Sequence, residues 1–215
     1  MCVEAGSKLS FASALDWPGW SRSGRGEEAA LESLGRYAAR YAPVVAAAGL
    51  TLPDPARIEI TERLPGSAST DFGVPGAEAG GESDALTPAE AERLAAILEA
   101  CWALFDRVAS GAPPNLRKGP RGGGRDRDAI VEHVVGSEVE AYARKLGIRL
   151  PRPAPGDLAA RAAERNAIAA ALRASAGSAG HDSAPRARGW PPRYAARRIA
   201  WHVLDHAWEI EDRSV

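Results

Sequence analysis

Residues 7–15 place Leu9, Phe11, Ser13 and Leu15 on one side, the period-two alternation of a β-strand. Asp16-Trp17-Pro18-Gly19-Trp20 then reads as a turn. From Glu27 the apolar period lengthens, with Leu31, Leu34, Ala38, Tyr41 and Val45 at helical spacing. Pro43 is expected to kink or break that helix near its end. Alternation returns over Arg57–Leu64 through Ile58, Ile60 and Leu64. Strand, helix and strand together predict a small βαβ-like unit over residues 1–66. Two strands do not make a stable sheet, so the unit must lean on the rest of the chain or on a partner.

Periodicity then lapses: residues 65–86 are rich in Gly, Ser and Pro, which predicts a linker over 67–86. Beyond it the pattern is helical. Thr87-Pro88-Ala89-Glu90 is a capping box with Pro at the first helical position. Leu94, Ile97, Leu98, Cys101, Leu104, Phe105 and Val108 continue from it as an amphipathic stripe. A second helix is expected from Asp126 to Leu146, and Asp157 caps a third that reaches Ala174. A Gly/Ser/Pro/Arg-rich stretch containing His181 leads to Pro191-Pro192, which opens the fourth helix. The expected fold class is α+β, mainly α, with a four-helix bundle over residues 87–215.

Composition adds limits to this picture. At 215 residues the chain fits one large domain or a domain with a small module. Its 45% hydrophobic and 26% charged residues are those of an ordinary globular protein. A net charge of -1 gives no global attraction to nucleic acid or anionic membrane. There is no apolar run of the roughly 20 residues that span a bilayer, and no signal-peptide core. Cys2 and Cys101 make no disulfide framework and are expected to be reduced, which points to the cytoplasm.

The chemistry lies in three of the four histidines. His202 and His206 are one helical turn apart in WHVLDHAWEIEDR, so both rings leave one face and can reach one ion. His133, in IVEHVVGSE of the second helix, can supply a third imidazole, with coordination positions left for water or substrate. Arg198, Glu209 and Arg213 share the His202/His206 face; Ser137, Glu140 and Arg144 lie on the His133 side, where Gly136 admits a close neighbour. Trp201, Leu204 and Trp208 give the fourth helix a second apolar side, which predicts burial on two sides. Three neutral imidazoles suit Zn²⁺, Ni²⁺, Fe²⁺ or Mn²⁺. Glu209 is a candidate base or holder of bound water, whereas Asp205 and Glu132 point aside. No Glu-xx-His or His-Glu-xx-His occurs, against a di-iron carboxylate bundle and a common zinc protease. The basic loop Arg117–Arg125 is a weak anion-site candidate, read as a solvated loop, and Trp190 is a helix-entry anchor or, alternatively, a rim of the pocket.

With His133 in the second helix and His-xxx-His in the fourth, residues 87–215 resemble the DinB/YfiT-like superfamily of bacterial metal-binding four-helix bundles. The resemblance implies that His133, His202 and His206 hold a divalent metal ion. Some members of that superfamily are S-transferases or isomerases using a low-molecular-weight thiol such as mycothiol or bacillithiol. It therefore implies a thiol-dependent transferase acting on a small-molecule substrate; the alternative is a non-catalytic stress-response or interaction module with a structural metal. FASALDWPGWSRSGRGEEAALESL is similar to the HicB-like pattern, in which a strand, a Pro-Gly turn and a Glu-Glu-Ala helix follow one another. That similarity implies a protein-contact or packing role, with a homodimer as the candidate assembly.

Overall fold

The structure is a computed structural model that describes residues 1–54, 59–119, 123–177 and 189–214. Its fold is α+β. Strands β1 (Cys2–Ala5), β2 (Ser10–Ser13) and β3 (Ser21–Gly24) form an antiparallel meander. Helices α1 (Glu27–Arg36) and α2 (Ala38–Ala47) then carry the chain across to β4 (Glu62–Pro65), which lies parallel to β1. A parallel neighbour requires such a crossover, and the sheet order is β3-β2-β1-β4.

The unit is thus a four-stranded sheet rather than the expected two-stranded βαβ. Cys2, Val3 and Glu4 of β1 are all buried, so that strand carries no alternation to read. Ser21-Arg22-Ser23-Gly24 carries no apolar residue and becomes a strand by pairing with β2. The later strand begins at Glu62; Arg57 and Ile58, placed in it by the sequence reading, lie outside the described residues. The helix break falls at Tyr37, between α1 and α2, while Pro43 sits inside α2. Gly24 lets α1 close on the sheet, since a Cβ there would stand 2.3 Å from the Ala29 carbonyl carbon.

Residues 67–86 hold ordered structure. Helix α3 (Ala68–Phe72) starts with a Ser67/Thr70 capping box, and Gly80–Ser83 forms a 3₁₀ turn. Buried Glu4 accepts from the Thr70 hydroxyl and from the amides of Gly76 and Ala77. Buried Glu82 receives the guanidinium of Arg197. Charged and polar contacts hold this segment, and they leave no hydrophobic period in the sequence.

The long helices are α4 (Pro88–Gly111), α5 (Arg127–Ser137), α7 (Leu158–Ala174) and α8 (Pro192–Arg213). A widened π-helical turn, Glu138–Tyr142, continues α5 into the short α6 (Ala143–Lys145). Helix α4 packs along α8 and α7, and α5 packs against α8. Helix α8 is buried on two sides, as its two apolar faces predict. On the sheet side Trp201 meets Phe11 edge to face, and Trp208 meets Tyr37. Gly19, at φ +93°, turns the Pro-Gly corner against Leu204 and Ala200. Trp20 stacks on Tyr41 and donates to the Leu34 carbonyl, while the Tyr41 hydroxyl donates to the Pro18 carbonyl. One buried cluster runs from Ala12, Trp20 and Tyr41 through Leu98 and Phe105 to Ile199 and Trp208. Among the described residues no helix is long and apolar enough to cross a membrane.

Candidate metal centre

Helix α8 presents His202 and His206 one turn apart, and α5 delivers His133 from the neighbouring rod. Local chemistry fixes the start and path of α5. Asp126 precedes its first turn and accepts from the Leu116 amide and the Lys118 ammonium. The Ser137 hydroxyl donates back to the His133 carbonyl. Gly136 admits Arg152, whose guanidinium would stand 3.1 Å from a Cβ at that position.

The three rings converge. Centroids of His133 and His202 are 5.0 Å apart, as are those of His133 and His206; His202 and His206 are 4.7 Å apart. One nitrogen from each ring lies within 4.8 Å of the other two. The Nε2 atoms of His133 and His202 are 3.1 Å apart. Two nitrogens at that separation, each about 2.05 Å from one ion, subtend about 98°, within the range of a first-row coordination sphere. The donor set therefore fits a divalent ion.

Electrostatics favour lone pairs over protons. Burial, then the His206 and His133 rings, press His202 down to about 2. Burial and the His206 ring also lower His133. Both imidazoles are therefore neutral near pH 7, the state that ligates metal. His206 Nδ1 stands 2.8 Å from Glu209 Oε2, which leaves Nε2 with the free lone pair. The His206 hydrogen bond holds the Glu209 carboxyl below its ordinary range, against burial. Arg213 grips the other Glu209 oxygen and donates from Nε to the Arg117 carbonyl.

These contacts redefine several sequence-read roles. Glu209 is bonded to His206 Nδ1 and to Arg213, a position that orients the His206 ring. Asp205 pairs with Arg22 at 2.9 Å and ties α8 to β3. Glu132 faces Arg152 at 3.6 Å, with Glu140 on the same guanidinium at 2.8 Å. The basic loop turns inward on itself: Arg117 donates to the Asp212 and Arg213 carbonyls, and Lys118 pairs with Asp126. Residues 120–122 of that loop, and His181, lie outside the described residues.

Tyr142 carries no signal of its own in the sequence, whereas Trp190 is a named candidate there. The Tyr142 ring sits 5.5 Å from His202, and Trp190 tilts against Tyr142 at 5.7 Å. Nine residues on from His133, Tyr142 would lie about two and a half turns away on a regular helix, on the opposite face. The π-helical turn rotates it back toward α8, and no sequence signal marks that turn. Trp190 is the helix-entry anchor expected, its amide bonded to the Lys145 carbonyl.

No protein-family model, curated protein or solved structure matches the chain. Glu209→Gln keeps the side-chain shape but removes the charge that holds His206 in one tautomer. Metal affinity should fall about 10- to 100-fold, as losses of such orienting partners do. Competition titration against a chromophoric chelator reads this, and unchanged affinity would remove Glu209 from the centre.

Proposed function

We propose that this chain is a DinB-like metalloenzyme, a thiol-dependent S-transferase or close relative, acting on a small molecule in the cytoplasm. The single observation that carries the reading is the convergence of three imidazole nitrogens from α5 and α8. The packing of α4 along α7 and α8, with α5 on α8, supports a DinB-like four-helix bundle as its frame. Two free, buried cysteines support a reducing compartment, and burial pushes the Cys2 thiol up to about 11.

In this reading His133, His202 and His206 hold Zn²⁺, Ni²⁺, Fe²⁺ or Mn²⁺. A divalent ion held there would supply a nucleophile at neutral pH by lowering the pKa of a thiol or water. The protein's own side chains do the rest. Glu209 and Arg213 keep His206 in the tautomer that presents Nε2. Tyr142 and Trp201 wall His202 with aromatic surface and thin the water there, which strengthens each electrostatic contact. In the transfer, the thiol of mycothiol or bacillithiol loses its proton to solvent. Its sulfur then forms a bond to an electrophilic carbon, whose leaving group departs with the electron pair.

One observation favours a second reading, a non-catalytic module with a structural metal. Glu209, Asp205 and Glu132 are engaged by His206 and Arg213, by Arg22 and by Arg152, so these carboxylates are committed. The test uses tag-free protein stripped of metal and reloaded singly with each of the four ions. Each form is mixed with mycothiol or bacillithiol and a chlorinated electrophile such as monochlorobimane. Thiol consumption above the metal-free rate is the expected result. Stoichiometric metal with no turnover in any pairing overturns the enzymatic reading in favour of the structural one.

A further inference from the structure

Among the described residues three arginines are buried, and two of them are matched by carboxylates: Arg197 is held by Glu82, and Arg165 by Asp106 and Glu138. Arg198 is the third. It is 8% exposed, and among the described residues no carboxylate pairs with it. Its NH1 donates to the Tyr194 hydroxyl at 2.9 Å, its Nε is buried without a partner, and the Tyr142 phenol lies beside it. The guanidinium carbon sits 5.3 Å from the Trp190 ring centroid and 5.7 Å from those of Tyr194 and Trp201. Aromatic faces and phenol oxygens soften the burial of a cation without neutralising it.

Its position gives the unmatched charge a purpose. Arg198 precedes His202 by four residues, so its stem rises from the same face of α8, about 6 Å along the axis. His202 Nδ1 is likewise buried without a partner, and it carries the proton when Nε2 faces the ion. Arg125 adds a further positive charge that acts on both His133 and His202. The carboxylate at the far side of the centre, Glu209, is already spent on His206 and Arg213. A guanidinium offers paired donors in the geometry of a carboxylate.

We propose that Arg198 is the anchor for a carboxylate on the substrate or thiol, joined by a short spacer to the atom that enters the metal centre. The proposal rests on the metal-centre reading and narrows it to anionic ligands. The Trp190 and Tyr194 rings flank the anchor, so the spacer binds against flat apolar walls. Neutral thiols of equal length lack the group that matches Arg198 and bind more weakly.

The test uses full-length protein loaded with Co²⁺, whose sulfur-to-metal charge-transfer band reports thiol entry. Wild type is titrated with 3-mercaptopropionate and with 3-mercaptopropan-1-ol, which differ in the carboxylate. Wild type should prefer the carboxylate on the order of 10- to 100-fold, the range of a charged hydrogen-bonded contact. Arg198→Met should erase the preference without weakening cobalt binding, since it removes a positive charge that acts on His202. The variant should also unfold no earlier than wild type, because it removes an uncompensated buried charge; a merely structural arginine would destabilise when lost. Equal binding of the two thiols by wild type, or a preference that survives in Arg198→Met, overturns the anchor. Calorimetric titration of metal-free protein with propionate, which needs no ion, separates the two ideas. Propionate binding lost in Arg198→Met keeps the anchor even where cobalt does not bind; no propionate binding in wild type overturns it.

Discussion

His202→Ala should release the metal. Its ring is the most buried of the three and its Nε2 is 3.1 Å from that of His133. Deleting it leaves two imidazoles on separate helices, with no third one beside them among the described residues. Loss of an orienting partner alone costs about 10- to 100-fold in affinity, so loss of the ligand should exceed about 100-fold. Elemental analysis of tag-free wild type and variant, purified side by side, reads this directly. Equal metal in the two would remove the site. His202 is also a buried ring against Tyr142, so folding is checked separately by circular dichroism. His202→Gln, closer in shape, keeps the comparison meaningful if the alanine variant unfolds.

Breaking the Glu82–Arg197 pair should have the largest effect on stability. The Arg197 guanidinium is 1% exposed and meets both Glu82 oxygens, at 2.6 and 2.8 Å. Its NH2 also donates to the Ala77 carbonyl at 2.8 Å. Glu82→Ala strands a buried cation, which costs about 3–5 kcal/mol. At about 2–4 °C per kcal/mol for a chain of this size, the melting point should fall by roughly 6–20 °C. The double variant Glu82→Leu/Arg197→Met removes both charges and should recover most of the loss, since apolar replacements of buried pairs are often neutral or stabilising. Urea unfolding of the three proteins reads the cycle. A Glu82→Ala variant within about 1 kcal/mol of wild type would show that the pair is not what fastens residues 67–86 to α8.

Those two pairs mark the line between what was legible and what was not. The His202/His206 spacing is local, and a helical turn converts it into shared direction with no knowledge of the rest of the fold. The α4 stripe and its Thr87–Glu90 cap are equally local, and both stand where the pattern puts them. Glu82 and Arg197 are 115 residues apart, and nothing in either neighbourhood announces the other. Strand β1 has the same character: its residues are buried on both faces, so alternation is lost. Tyr142 comes to His202 through a widened turn that breaks the 3.6-residue period on which any helical wheel rests.

The sequence by itself determined the helical rods, the apolar faces that bury them, and the shared direction of His202 and His206. It did so because period and capping act between residues a few positions apart. Only the tertiary structure decided that Glu209 serves His206, that no carboxylate among the described residues pairs with Arg198, and that four strands, not two, close the sheet. Those outcomes depend on which polar groups meet across the core, where pairing energies compete and only the folded geometry settles the partners.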